Sequence, residues 1–181
     1  MAGSKSASSP LSGPTDNAVS LQGARITILG IGNLLLKDEG VGIHLVQRLS
    51  EKLNDPCVTI IDGGTTPDLF SLLNDDIDKL IIIDAAVAGD KPGTIYRFQA
   101  DDLAAGSATP VSLHEMGLVD NLKLMDIFGN RPREITIFGV EPQVIKCGVE
   151  LSPEVEEKIP RLIELVLDEI EQTKTPMEVA R

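Results

Sequence analysis

Apolar positions change their period several times along this chain, and each change marks an element. Arg25 to Gly30 is a short β-branched run ending in the glycine turn Gly30-Ile31-Gly32-Asn33, which reads as a buried strand. A helix is expected from about Asp38 or Glu39. Its Val41, Leu45, Val46, Leu49 and Leu53 recur at helical spacing, while His44, Gln47, Arg48 and Glu51 fall on a solvated face. Val58 to Asp62 is a second strand, followed by the loop Gly63-Gly64-Thr65-Thr66-Pro67-Asp68, in which Thr66 can cap a short helix with Pro67 in its first position. Lys79 to Asp84 holds the unbroken apolar stretch expected of a central strand covered on both faces.

Strands alternating with helices imply right-handed crossovers and a parallel sheet whose strand C-termini share one edge, where such folds bind ligands. The segment between Asp84 and the next strand, Gly93 to Phe98, is too short for a crossover helix, so that strand should run antiparallel. The chain must then climb back from Gln99 to Pro110. Ser112-Leu113-His114-Glu115 fits the capping box of a helix with apolar positions Leu118, Leu122, Met125 and Ile127, ending at Gly129. Glu134 to Val140 is a fifth strand, and Ser152-Pro153-Glu154 caps a final helix to about Thr173, interrupted or kinked at Pro160. The expected fold is an α/β/α sandwich in three layers around a mostly parallel five-stranded sheet with one antiparallel strand.

With 181 residues, 42% of them hydrophobic, the chain can bury one good core. We expect a disordered tail over 1–24, a single α/β domain over 25–173 and a flexible end over 174–181. A net charge of -12 and the lack of a basic run argue against nucleic acid and anionic membranes and favour a neutral or basic protein partner. Cys57 and Cys147 have no metal or disulfide spacing, no apolar run reaches membrane length, and no secretory signal opens the chain, so a cytoplasmic protein is expected.

Three residues could carry chemistry together: Glu39 beyond the first turn, Asp84 ending the central strand and His114 opening a later helix. The expected topology brings all three to one edge. Each has a plainer reading. Asp38-Glu39 can cap a helix, Asp84 can bond the amides of Ala85 and Ala86, and His114 can assist a cap. If Asp38 is the cap, Glu39 remains for an ion. Two oxygen donors and an imidazole kept neutral by a helix N-terminus suit nickel, zinc, iron or manganese, with coordination positions left open. Asp38 is also a possible helper base. Gly30-x-Gly32 lacks the third glycine of a dinucleotide loop, its place being held by Leu35. Asp62-Gly63-Gly64-Thr65 could offer backbone to an extended peptide or only make a turn, and Glu141 could line the site or face solvent.

The blocks Gly30-Ile31-Gly32-Asn33, Asp38-Glu39-Gly40-Val41-Gly42, Asp62-Gly63-Gly64-Thr65, Asp84, Ser112-Leu113-His114 and Gly139-Val140-Glu141-Pro142, in this order from Ile26 to Ile170, resemble those of the hydrogenase maturation proteases. The resemblance implies an endopeptidase that removes a C-terminal peptide from the precursor of a nickel-iron hydrogenase large subunit after nickel insertion. It implies that Glu39, Asp84 and His114 are metal-contacting and catalytic, and that nickel arrives with the substrate, zinc or cadmium serving in vitro. A second function class is a non-catalytic nickel-checking or escort module for the same subunit, which would bind the loaded precursor without shortening it. A nucleotide-dependent enzyme using the Gly30 loop is a weaker third.

Overall fold

The computed structural model describes residues 24–65, 73, 77–101 and 115–175, with only the backbone of 115–119. The tail, Thr66, Pro67, Asp68, the Gln99–Pro110 climb beyond residue 101, the Ser112 capping box, His114 and the Leu118 side chain lie outside the described residues or atoms. The strands are β1 (Ile26–Gly30), β2 (Val58–Asp62), β3 (Lys79–Ala85), β4 (Ile95–Gln99) and β5 (Glu134–Val140). The helices are α1 (Val41–Ser50), α2 (described over Glu115–Phe128), α3 (Pro153–Glu156) and α4 (Ile159–Lys174).

The sheet has the order β2-β1-β3-β5-β4. β1 pairs in parallel with β2 and β3, and β3 with β5, while β4 runs antiparallel to β5 on the far edge, as the short connection after β3 requires. Side chains alternate across β3, so that Ile81, Ile83 and Ala85 join one apolar layer and Leu80 and Ile82 the other. The first layer is closed by Val41, Leu45, Val46 and Leu49 of α1 together with Val155, Ile159, Leu162, Val166 and Ile170 of α3 and α4. Leu122 and Met125 of α2 pack on the opposite layer. Helices therefore cover both faces of the sheet, and the expected three-layer α/β sandwich is what forms.

Several sequence expectations are corrected. Helical structure after the glycine turn begins as a tight 3-10 turn over Lys37–Gly40, with α1 proper starting at Val41. His44 is not solvated: it is half-buried, with Nε2 3.1 Å from the Val149 carbonyl oxygen. Ile127 is 76% exposed, because Leu122 and Met125 already define the buried stripe of α2 and Ile127 is out of phase with it. The final helix does break, but at Glu157–Lys158, so that Pro160 enters the first turn of α4, where its missing N–H costs nothing.

Lys79 was expected to open an apolar strand, and its side chain is 1% exposed. Its ammonium donates to Glu134 Oε1 at 2.5 Å and to Glu169 Oε1 of α4 at 2.7 Å. Arg97 forks onto the same Glu169 carboxylate with Nε and Nη2 at 2.9 and 3.0 Å, and Thr136 Oγ1 donates to it at 2.9 Å. Burial alone would raise the Glu169 pKa, but the bonds from Arg97, Lys79 and Thr136 prevail and hold it at about 2. This network ties β3, β4 and β5 to α4.

Candidate active site at the sheet edge

The β1 strand ends in a turn where backbone meets backbone. A side chain on Gly30 would place Cβ 2.3 Å from the Gly42 carbonyl oxygen, and one on Gly42 would meet the carbonyl oxygens of Ile83 and Ile31 at 2.2 and 2.3 Å. Only glycine lets α1 sit this close to the ends of β1 and β3. Gly32 has φ +147°, and its Cβ position is blocked by the Glu39 carbonyl oxygen at 2.0 Å. The Ile31 amide donates to Ile83 O at 2.8 Å, and the Asn33 amide to Glu39 O at 3.3 Å. Asp84, Ile83, Ile31, Gly32 and Glu39 thus form a continuous path of touching backbone, which brings the turn bearing Glu39 to the end of β3.

Glu39 and Asp84 are each 6% exposed. Asp84 Oδ1 accepts the Ala85 amide at 2.8 Å, which is half of the turn-forming arrangement open from sequence; the Ala86 amide instead donates to Val140 O at 3.0 Å. Glu39 has no side-chain hydrogen bond or ion pair with any described residue. A carboxylate on a nearly covered residue is met by whatever cation or donor reaches it from its open side.

Asp38 does not cap α1, whose N-cap is Gly40. It is 1% exposed and reaches across to the segment between β5 and α3. Oδ2 accepts the amides of Gln143 and Val144, both at 2.9 Å, and the Ser152 hydroxyl at 2.8 Å; Oδ1 accepts the Ser152 amide at 2.6 Å. Ser152, expected as a helix cap, holds the N-cap position of α3, yet its hydroxyl serves Asp38. Four donors around one buried carboxylate make a tether, which locks the turn carrying Glu39 against the far loop. Lys37, immediately before it, has φ +53°, a left-handed conformation unfavourable for a residue with a Cβ. Its amide donates to Gly148 O at 2.8 Å, so the same loop holds the strained residue in place.

Glu141 is buried at 4% exposure, and it staples the segment that follows Asp84. It accepts the Ala88 amide at 2.8 Å, the Gly89 amide at 3.2 Å and the Tyr96 hydroxyl at 2.7 Å. Desolvation pushes its pKa up, but these bonds outweigh burial and leave it below the ordinary carboxylate range. The Tyr96 hydroxyl, desolvated and facing Glu141 and Asp90, is in turn raised well above its normal range. Sequence reasoning left Glu141 undecided and missed Tyr96; the available signal was position, since β4 and β5 are paired neighbours whose ends meet beside Asp84. The Asp62 loop forms a turn: Asp62 Oδ1 accepts the Gly64 amide at 3.0 Å, and Gly64 O accepts the Gly32 amide at 2.9 Å. It therefore braces the glycine turn.

Among the described residues no cluster of three or more histidine, cysteine or acidic side chains is set to hold a metal, and His114 lies outside them. What the described residues supply is a pair of buried carboxylates on a rigid edge, an all-oxygen donor set that suits a divalent cation.

Comparison with known proteins identifies the family. The family model described as hydrogenase maturation protease matches residues 43–169. Hydrogenase 2 maturation protease of Escherichia coli strain K12 is 37% identical over 147 residues, which cover 79% of this chain and 88% of that protein. Among solved structures, the E. coli hydrogenase maturating endopeptidase HybD superposes with a TM-score of 0.74 at 33% identity, covering 82% of this chain and 93% of that one. The [NiFe] hydrogenase maturation protease HybD of Thermococcus kodakarensis gives 0.69 at 31% identity over 81% and 99%. The mostly parallel five-stranded α/β sandwich is thus that of a peptidase, and the chain is a member of the hydrogenase maturation protease family.

Proposed function

We propose that this peptidase removes the C-terminal extension of a nickel-iron hydrogenase large-subunit precursor after nickel has been inserted, and that Glu39, Asp84 and His114 engage the nickel that the substrate brings. The observation that carries this reading is Glu39, a buried carboxylate with no partner among the described residues, on a turn packed against the end of the strand that delivers Asp84. Such a site is prepared for a cation that arrives from elsewhere.

The residues have separate parts. The Ala85 amide fixes one oxygen of Asp84, and so the orientation of that carboxylate. The tether at Asp38 holds the turn of Glu39; with both oxygens taken up by donors, Asp38 serves in this proposal as a positioning residue rather than a helper base. His114 supplies the imidazole. A bound divalent ion would contribute charge that polarises the scissile carbonyl or a water, and zinc or cadmium suits the same donors in vitro. The peptide is positioned by the rigid edge itself, which the close glycine packing and the Glu141 staple keep from moving. We further propose that the protein works in the cytoplasm; no helix among the described residues is long and apolar enough to cross a membrane.

Purified enzyme incubated with nickel-loaded and nickel-free precursor tests the reading by mass spectrometry. Only the loaded precursor should lose its C-terminal segment. Equal cutting of both would remove nickel from the site, and binding of the loaded precursor without any cutting would support the escort role instead.

A further inference from the structure

Beside Glu39 the surface carries apolar side chains that the core does not use. Leu35, Ile145 and Val149 are 67%, 42% and 59% exposed. They lie on two segments zipped together by backbone bonds: the Gly148 amide donates to Leu35 O at 3.0 Å, the Lys37 amide to Gly148 O at 2.8 Å, and the Asp38 amide to Val144 O at 3.4 Å. Leu36 and Gly148 form an isolated parallel bridge between the segments. This pairing sets Leu35 alongside the residue preceding Val149, and places Ile145 directly after the residue bonded to Asp38. Single exposed apolar residues are ordinary, but several on paired segments make a patch of the kind that marks an interaction site.

We infer that this ledge is the docking surface for an extended apolar segment of the protein substrate flanking the scissile bond; the inference rests on the peptidase reading above. Continuity favours this occupant, since the ledge is built from the turn that carries Glu39 and from the loop that Asp38 tethers. Lys37, whose stem lies over Gly148, and exposed Lys146 rim the ledge opposite exposed Glu150, so the local charges of both signs suit an uncharged apolar segment. A second copy of the chain would bring its own net charge of -12 to the contact, which opposes self-association. The strained backbone of Lys37 is part of what holds the ledge in this shape.

The test compares full-length wild type with Leu35→Ser/Ile145→Ser/Val149→Ser in processing the nickel-loaded precursor over a range of concentrations. Loss of the apolar contact should raise KM by about tenfold, with the defect residing in KM rather than kcat. Exposure of all three positions should leave the melting temperature within a few degrees. The conservative variant Leu35→Met/Ile145→Leu/Val149→Ile should recover most of the affinity. An unchanged KM in the serine variant overturns the inference, as does a loss confined to kcat. If wild type binds but does not cut, the peptidase reading of this substrate fails separately, and calorimetric binding of the same precursor then decides the surface: weaker binding by the serine variant supports the ledge, equal binding overturns it. A wild-type dimer in sedimentation that the serine variant splits would assign the patch to self-association and also overturn it.

Discussion

Asp84→Asn and Glu39→Gln are each expected to lower processing of nickel-loaded precursor by on the order of 10²- to 10³-fold, the scale at which removal of one preorganised electrostatic partner acts. Both variants should keep their stability. Asn at position 84 keeps an oxygen that can accept the Ala85 amide, so its fold should be close to wild type. Glu39 makes no side-chain bond to a described residue, so Gln in its place breaks none and the melting temperature of the substrate-free protein should stay close to wild type. A residue whose replacement spares the fold yet is needed for turnover marks a prepared site. Undiminished processing by either variant, or loss of activity accompanied by unfolding, would defeat this reading. Circular dichroism melts beside the processing assay separate the two.

Glu169→Ala should be the most damaging substitution for stability, costing about 3 kcal/mol because it leaves a buried lysine with a single, half-exposed partner. The Lys79 ammonium, 1% exposed, would keep only Glu134, whose own side chain is 53% exposed, and the Arg97 fork would be lost. Thermal unfolding should fall by about 10 °C. The double variant Lys79→Met/Glu169→Leu should recover much of that loss, since a buried ion pair can be exchanged for apolar packing at little net cost. The network also sets the acid limit of the fold. The Glu169 pKa is lowered from 4.5 to about 2 on folding, so its stabilisation is complete above the unfolded value and is lost as pH falls through the folded one. Urea midpoints of wild type should therefore decline between about pH 5 and pH 2, while those of Glu169→Gln should decline less over the same window. Parallel pH profiles for the two proteins would rule the network out as the acid trigger.

Local chemistry explains what could be read before the structure. The strand periods are steric and local, so Val58 to Asp62 and Glu134 to Val140 appear at the expected boundaries, and the short link after Asp84 required the antiparallel β4. Placement of Glu39 and Asp84 at one edge followed from parallel topology. What stayed hidden was non-local. Nothing near Asp38 announces that its donors come from Gln143, Val144 and Ser152, and a helix cap is the correct local expectation for such a residue. Lys79 reads as the polar start of a strand, because its buried partner Glu169 lies on the last helix. Glu141 could not be decided from its neighbours, since its bonds to Ala88 and Tyr96 exist only once β4 has folded back along β5.

Convergence of Glu39, Asp84 and His114 on a single cation can be measured directly, by collecting diffraction at the zinc absorption edge from crystals of the protein soaked in millimolar zinc. An anomalous peak about 2.0–2.2 Å from carboxylate oxygens of Glu39 and Asp84 and from a ring nitrogen of His114 is the expected result. A peak bound elsewhere, or a His114 ring turned away from the two carboxylates, would contradict it.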